Sequence, residues 1–340
     1  PVDKAAGYVW EPLLADDVYK ISRMSPTEKA PSNGKPFSHK LSDKVGGDLF
    51  SGMITSPVGN EMTFAAATRA IDAEKLGQND VPDILVMNLS TNDYVGHTYG
   101  PNSPEVMDIT IRTDRLLSEF LNHLNRKVPG GIDNVAMVIS GDHGVVPIVE
   151  ESNGEYHTGA VRNAGGSAVD AIKKAFEAKY GAGKWVTSGL AGQNLWLNQD
   201  LAKEKGLKME DLEAFAVETA LGNPGTFAAF GRHQLMNNQV PQYPWLSRVV
   251  NGYHNKLGGD VFILEGPGNY AWGGTGGTGH GSVWDYDAHV PIIFRAKGIK
   301  PGIYTRPVHT SDIAPTLSRL LGLSFPTGNV GEPLVDKLEK

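Results

Sequence analysis

Four short apolar runs limit most strongly what this chain can become: DILVMNLS at 83–90, NVAMVIS at 134–140, DVFILEG at 260–266 and VPIIFRA at 290–296. Runs of this length suit strands covered on both faces, and strands alternating with helices imply right-handed crossovers. The helical patterns between them are clear. EMTFAAATRAIDAEKLG (61–77) has an apolar side and Gly77 as a candidate C-cap. The stretch 103–127 opens with Ser103 as N-cap and Pro104 at the first helical position, and SDIAPTLSRLLG (311–322) closes the series. The expected fold is α/β, a mostly parallel central sheet with helices on both faces and ligands at the carboxyl ends of its strands.

The pattern loosens elsewhere. Residues 1–60 are rich in Pro, Gly, Ser and Lys and read as an irregular segment, and the core is expected over 61–150 and 259–340. Between them 151–258 reads as an inserted lid or cap, with a helix near 167–180, a short strand in NLWLN (194–198) and a helix near 209–221. The net charge of -7, without a Lys/Arg block, argues against a nucleic-acid partner. No apolar run approaches the roughly 18 residues of a membrane span. The chain has no cysteine, so any metal must be held by His, Asp and Glu.

Two of the apolar runs empty into residues of that kind. STNDYVGHTYGP (90–101) sets Asp93 four positions before His97, among glycines that argue against a settled helix. The second run ends in Asp142, His143 and Gly144, and His280 lies in the glycine loop WGGTGGTGHGS (272–282). Carboxylate oxygen and imidazole nitrogen together suit zinc and related ions, and two clusters on one sheet edge could hold two ions for displacement at phosphorus. Each residue alone is an ordinary loop residue; the weight lies in their joint arrangement. The glycine loop lacks a following Gly-Lys-Ser/Thr and is given no phosphate role. Asp285 and His289 either support His280 or order their loop, and His309 and Asp312 read as helix-capping residues. His157, His233 and His254 read as surface histidines. Tyr270, Trp272 and Trp284 either wall a pocket or pack.

The series STNDYVGHTYGPNS, SGDHG, GTGHGSVWDYDAHVPIIF and HTSDIAPTLSRLLG, in that order, resembles the alkaline phosphatase superfamily, in particular its bacterial phosphate-irrepressible branch, related to nucleotide pyrophosphatase/phosphodiesterases. The resemblance implies an alkaline phosphatase-like core and two zinc ions. Asp93, His97 and His280 would hold one, and Asp142 and His143 would contribute to the other. It implies hydrolysis of phosphate monoesters through a covalent phosphoenzyme, with phosphodiester or nucleotide pyrophosphate cleavage as the alternative, and a periplasmic or secreted location. The family's nucleophilic Thr or Ser, another aspartate ligand and an Asn and Lys/Arg set precede the first motif by well over a hundred residues. Only 92 residues precede it here, the first of them Pro1. The expectation is therefore a C-terminal part, with the nucleophile missing. Such a piece would be inactive alone, or active only with an N-terminal fragment of the same protein as partner; a non-catalytic metal-binding fragment needing a partner chain is the further alternative.

Overall fold

The computed structural model describes residues 2–24, 26, 34–270 and 273–335. Its helices are α1 (Gly47–Ile54), α2 (Pro57–Glu74), α3 (Thr91–Tyr99), α4 (Pro104–Lys127), α5 (Val149–Tyr156), α6 (Ala164–Tyr180), α7 (Gln199–Glu204), α8 (Met209–Leu221), α9 (Arg232–Met236), α10 (Pro244–Gly252), α11 (Asp285–Ala288) and α12 (Ile313–Leu320). The strands are β1 (Val9–Trp10), β2 (His39–Lys40), β3 (Met137–Ser140), β4 (Asn194–Leu195), β5 (Thr226–Gly231), β6 (Val261–Glu265) and β7 (Ile292–Arg295).

Local chemistry accounts for several helix ends. Ser103 caps α4, its side chain accepting the Val106 amide at 3.1 Å, and Pro104 occupies the first turn, where a missing N–H costs nothing. Pro57 likewise starts α2, four residues before the periodic apolar pattern begins. Helices α2 and α4 pack through Phe64, Ala67, Ile71 and Phe120.

The mostly parallel sheet is not what forms among the described residues. β3 pairs with β7, β1 with β2, and β6 with both β4 and β5, all antiparallel; a lone bridge between Arg162 and Tyr270 is parallel. The reason is visible in β6. Val261 and Ile263 pack with α6 and α8, while Phe262 and Leu264 pack with Leu246 and Val249 of α10 and with Val283. A run buried on both faces reports burial and carries no information about strand direction. β6 also joins the strands of the inserted region, so residues 261–265 belong structurally with 194–231.

The run 83–90 forms no strand. Met87 and Leu89 lean on the α2–α4 core, whereas Ile84 and Val86 stay 67% and 86% exposed. From Val86 to Ser90 that alternation is the mark of a strand-like segment with one face partly covered, while Leu85 before it is 41% exposed.

At the other end of α4, Asp108 is fully buried and gathers the first twenty residues onto the helix. It accepts from Trp10 Nε1 at 2.7 Å, Tyr19 Oη at 2.5 Å, the Leu13 amide at 2.8 Å and Arg112 Nε at 2.6 Å. The segment that reads as irregular is thus tied down by a polar network that has no hydrophobic period to betray it. No helix among the described residues is long and apolar enough to cross a membrane.

Candidate metal centre

Asp93 and His97 lie on a settled helix after all. α3 holds them four residues apart, one turn, so both side chains leave the same face. The glycines that argued against a helix are accommodated: Gly96 is buried within it and Gly100 ends it at φ 93°. Asp93 Oδ1 stands 3.3 Å from His97 Nε2 and 3.8 Å from His280 Nε2. The three residues offer donor atoms that all lie within 4.8 Å of one another.

A hydrogen bond fixes how His97 presents itself. Its Nδ1 lies 2.6 Å from the Thr278 carbonyl oxygen, which can only accept, so Nδ1 carries the proton and the Nε2 lone pair faces Asp93 and His280. The Thr278 amide in turn donates to the His97 carbonyl at 3.3 Å. This double tie needs the glycine beside it. Gly277 has φ +68°, and a Cβ there would meet the His97 carbonyl oxygen at 3.1 Å. Gly277→Ala is therefore expected to loosen the loop and weaken divalent-cation binding about 10–100-fold, the usual effect of losing an outer partner of a ligand. Titration with a zinc-responsive competitor dye checks it, and unchanged affinity would remove the tie from the account.

His143 joins the group from the other loop. Its ring stacks on that of His280 with centroids 3.3 Å apart and planes at 11°, and its Nδ1 donates to the Gly144 carbonyl at 2.9 Å. Burial, then the neighbouring His143, hold the His280 imidazole below its ordinary pKa, against the pull of Asp93. Neutral imidazole is the form that ligates. Asp142 is the outlier, 83% exposed, with its Oδ2 3.5 Å from His143 Nε2. Four of the five residues therefore form one cluster, with Asp142 at its edge.

Other histidines and acids sort differently. Asp285 is bound by Arg248 at 2.7 Å, away from any role behind His280. The residue that does organise this corner, Asp287, was missed by the sequence reading: it is 2% exposed, its Oδ2 accepts the Ser282 amide at 2.6 Å, and its carbonyl accepts the Gly144 amide, joining the two ligand loops. Only its place in WDYDAH, two residues beyond the Asp285 chosen there, could have signalled it. Asp312 caps as expected, accepting the His309 amide at 3.0 Å, and His233 pairs with Glu213 at 2.7 Å. Tyr270 lines a cavity beside His280, Trp284 packs against the second core cluster, and Trp272 lies outside the described residues.

Residues 4–220 match the sequence model of the family described as type I phosphodiesterase/nucleotide pyrophosphatase. The chain belongs to this phosphodiesterase family. It is also 36% identical over 287 residues to the alkaline phosphatase PafA of Elizabethkingia meningoseptica, covering 83% of this chain and 50% of that protein. A Myroides odoratus protein named calcium-transporting ATPase is 31% identical over 354 residues, covering 100% of this chain and 62% of that one. The crystal structure of wild-type PafA superposes with a TM-score of 0.86 at 30% identity, covering 98% of this chain and 64% of the PafA chain. The resemblance read from the motifs is borne out, and so is the alkaline phosphatase-like fold. This phosphodiesterase-family chain spans between half and two thirds of the length of these relatives.

One further acid stands near the centre. Glu265 is 8% exposed, and burial pushes its carboxyl up to about 7 from the ordinary 4.5, with the Gly165 amide pulling the other way. A folded-state value above the unfolded one means that its contribution to stability is complete below about pH 4.5 and is lost as pH rises through about 7. Glu265→Gln, which cannot ionise, should gain on the wild type across that window by about 3 kcal/mol at most. The other ionisable residues that line this cavity, Tyr270, Tyr286, Asp287 and His280, are the same in both proteins, so the difference between the two isolates Glu265. Urea midpoints at both ends of the window check it, and a pH-independent difference would overturn it.

Proposed function

We propose that this chain carries the metal-binding part of a phosphate monoester hydrolase that uses two zinc ions. The observation that supports this most directly is the convergence of Asp93, His97 and His280 within 4.8 Å. Donors at zinc's usual distance of about 2.0–2.2 Å lie about 3.3 Å apart around a tetrahedral ion, so the Asp93–His97 spacing suits that ion as it stands. Two imidazoles and a carboxylate are also a borderline-soft donor set of the kind zinc takes. Bound there, zinc would neutralise charge on the transferring phosphoryl group and on the entering and leaving oxygens.

The chain's own contribution is positional. Asp93 and His97 are held by one helix turn, His280 by the glycine loop, and the Thr278 carbonyl keeps the His97 proton away from the donor face. His143 stacks on His280 and, with Asp142, contributes to the second ion. Two hydroxyls near the centre already donate elsewhere: Thr278 Oγ1 to the Val146 carbonyl and Ser140 Oγ to the Pro291 carbonyl. In this reading, which rests on the motif resemblance, the attacking Thr or Ser belongs to a segment outside these residues. Exposed apolar side chains such as Ile84, Val86 and Ile293 offer places where such a segment would pack. A periplasmic or secreted location goes with this reading.

Phosphodiester or nucleotide pyrophosphate cleavage is the second reading, favoured by the description of the matched family. A non-catalytic metal-binding fragment is the third. Hydrolysis of p-nitrophenyl phosphate and of its bis ester with added zinc separates them, using this chain alone and a longer chain containing it. The monoester should be preferred by the longer chain and left intact by the 340 residues alone. Strong turnover by the isolated chain would overturn the placement of the nucleophile, and preference for the bis ester would overturn the monoesterase assignment.

A further inference from the structure

Beside the metal centre, sharing His280 as a wall, lies a cavity of about 120 Å³ bounded also by Gln193, Glu265, Tyr270, Tyr286 and Asp287. Two of its polar walls are more than nine-tenths buried and carry acceptors that make no hydrogen bond among the described residues: Gln193 Oε1, and Glu265 Oε1, which the Gly165 backbone approaches without completing a bond. Neither is a stray. Gln193 Nε2 donates to the Gly281 carbonyl at 2.9 Å, which fixes the amide so that its oxygen is the free end. The Gln193 carbonyl accepts the Ile263 amide at 2.9 Å, which holds the residue against β6 at φ 66°. Glu265 continues the face of β6 that carries Val261 and Ile263, so strand alternation directs it toward the start of α6. Buried acceptors left without donors cost free energy, and a fold that retains two in one cavity leaves room for a donor to arrive.

We propose that this cavity is a subsite for a hydroxyl-bearing alcohol, the leaving group of the phosphate ester, whose hydroxyls donate to Gln193 Oε1 and Glu265 Oε1. The volume equals about four waters, the scale of a three-carbon polyol. The shared His280 wall puts that alcohol next to the metal centre, so the leaving-group role rests on the hydrolase reading above. Occupation of the cavity by a polyol does not. The raised Glu265 carboxyl adds a second capability, since near neutral pH its protonated fraction donates to an alcohol oxygen as well. Tyr270 and Tyr286 supply flat apolar walls for the carbon chain.

Two measurements test this. The first needs no turnover: saturation-transfer NMR of glycerol and of 1-propanol with the intact chain. Glycerol should receive saturation, 1-propanol should receive about 10-fold less, and Gln193→Leu should remove most of the glycerol signal. Equal transfer to both alcohols, or none to either, would overturn the subsite and leave the cavity to water alone. The second compares kcat/KM for glycerol 1-phosphate and propyl phosphate in the longer, active chain. The ratio should favour the glycerol ester and fall about 10-fold in Glu265→Met and in Gln193→Leu, whereas Glu265→Gln, which keeps an acceptor, should fall less. A ratio near one in the wild type would overturn the leaving-group assignment. Glycerol binding without hydrolysis of either ester would remove the hydrolase reading and leave the polyol subsite in place.

Discussion

Replacing His97 with alanine should abolish high-affinity binding of one divalent cation, lowering bound metal by about one equivalent. His97 supplies one of three donors, and its Nδ1 bond to Thr278 also anchors the glycine loop that carries a second, His280. One substitution thus removes a ligand and unfastens another. The loss should exceed the roughly 10–100-fold that follows from removing an outer partner alone. Asp93→Ala should act similarly, because Asp93 Oδ1 faces both imidazoles at 3.3 and 3.8 Å. Elemental analysis after dialysis reads both variants, and unchanged metal content would strike these residues from the ligand set. In the wild type, affinity should fall with acid, since protonated imidazole cannot ligate.

The second large effect concerns stability. Asp108→Ala should destabilise the chain by about 3–5 kcal/mol, the range for breaking a buried ion pair on one side. The fully buried Asp108 carboxylate takes donors from Trp10, Leu13, Tyr19 and Arg112; its removal leaves the Trp10 indole and the Tyr19 hydroxyl without that acceptor, while the Leu13 amide keeps Tyr19 Oη and Arg112 keeps the Glu11 carbonyl. Chemical denaturation reads the loss. Asp108→Asn, which keeps an acceptor, should recover part of it. A change below about 1 kcal/mol in the alanine variant would mean that water reaches the site and satisfies the donors.

The candidate centre was more legible in the sequence than the sheet around it. Asp93, His97, Asp142, His143 and His280 stand in short motifs whose residue types announce metal chemistry, and four of them form one cluster. The geometry behind them was not legible. The Thr278 carbonyl, bonded to His97, and the Asp287 carbonyl, bonded to the Gly144 amide, act through backbone contacts across the chain, for which no residue pattern exists. Strand direction was misread because β6 is apolar at every interior position, and two covered faces look the same in parallel and antiparallel sheets. The run 83–90 was read as a buried strand from its composition, yet Ile84 and Val86 face solvent. Apolar composition reports what a segment prefers to contact and does not supply the contact. The two unmet acceptors at Gln193 and Glu265 could not be found in the sequence either, since an unsatisfied atom is a property of three-dimensional packing.

The span between α3 and the glycine loop has a mechanical consequence. His97 and Thr278 are 181 positions apart, and nearly the whole inserted region hangs between them. A cation gripped by Asp93, His97 and His280 would act as a rivet across that long excursion, shortening the reach of the unfolded polymer much as a covalent crosslink does. Chelation should therefore expose the inserted part of that excursion to protease nicking well before it disturbs the helical pair α2–α4, which is held by its own core of Phe64, Ala67, Ile71 and Phe120.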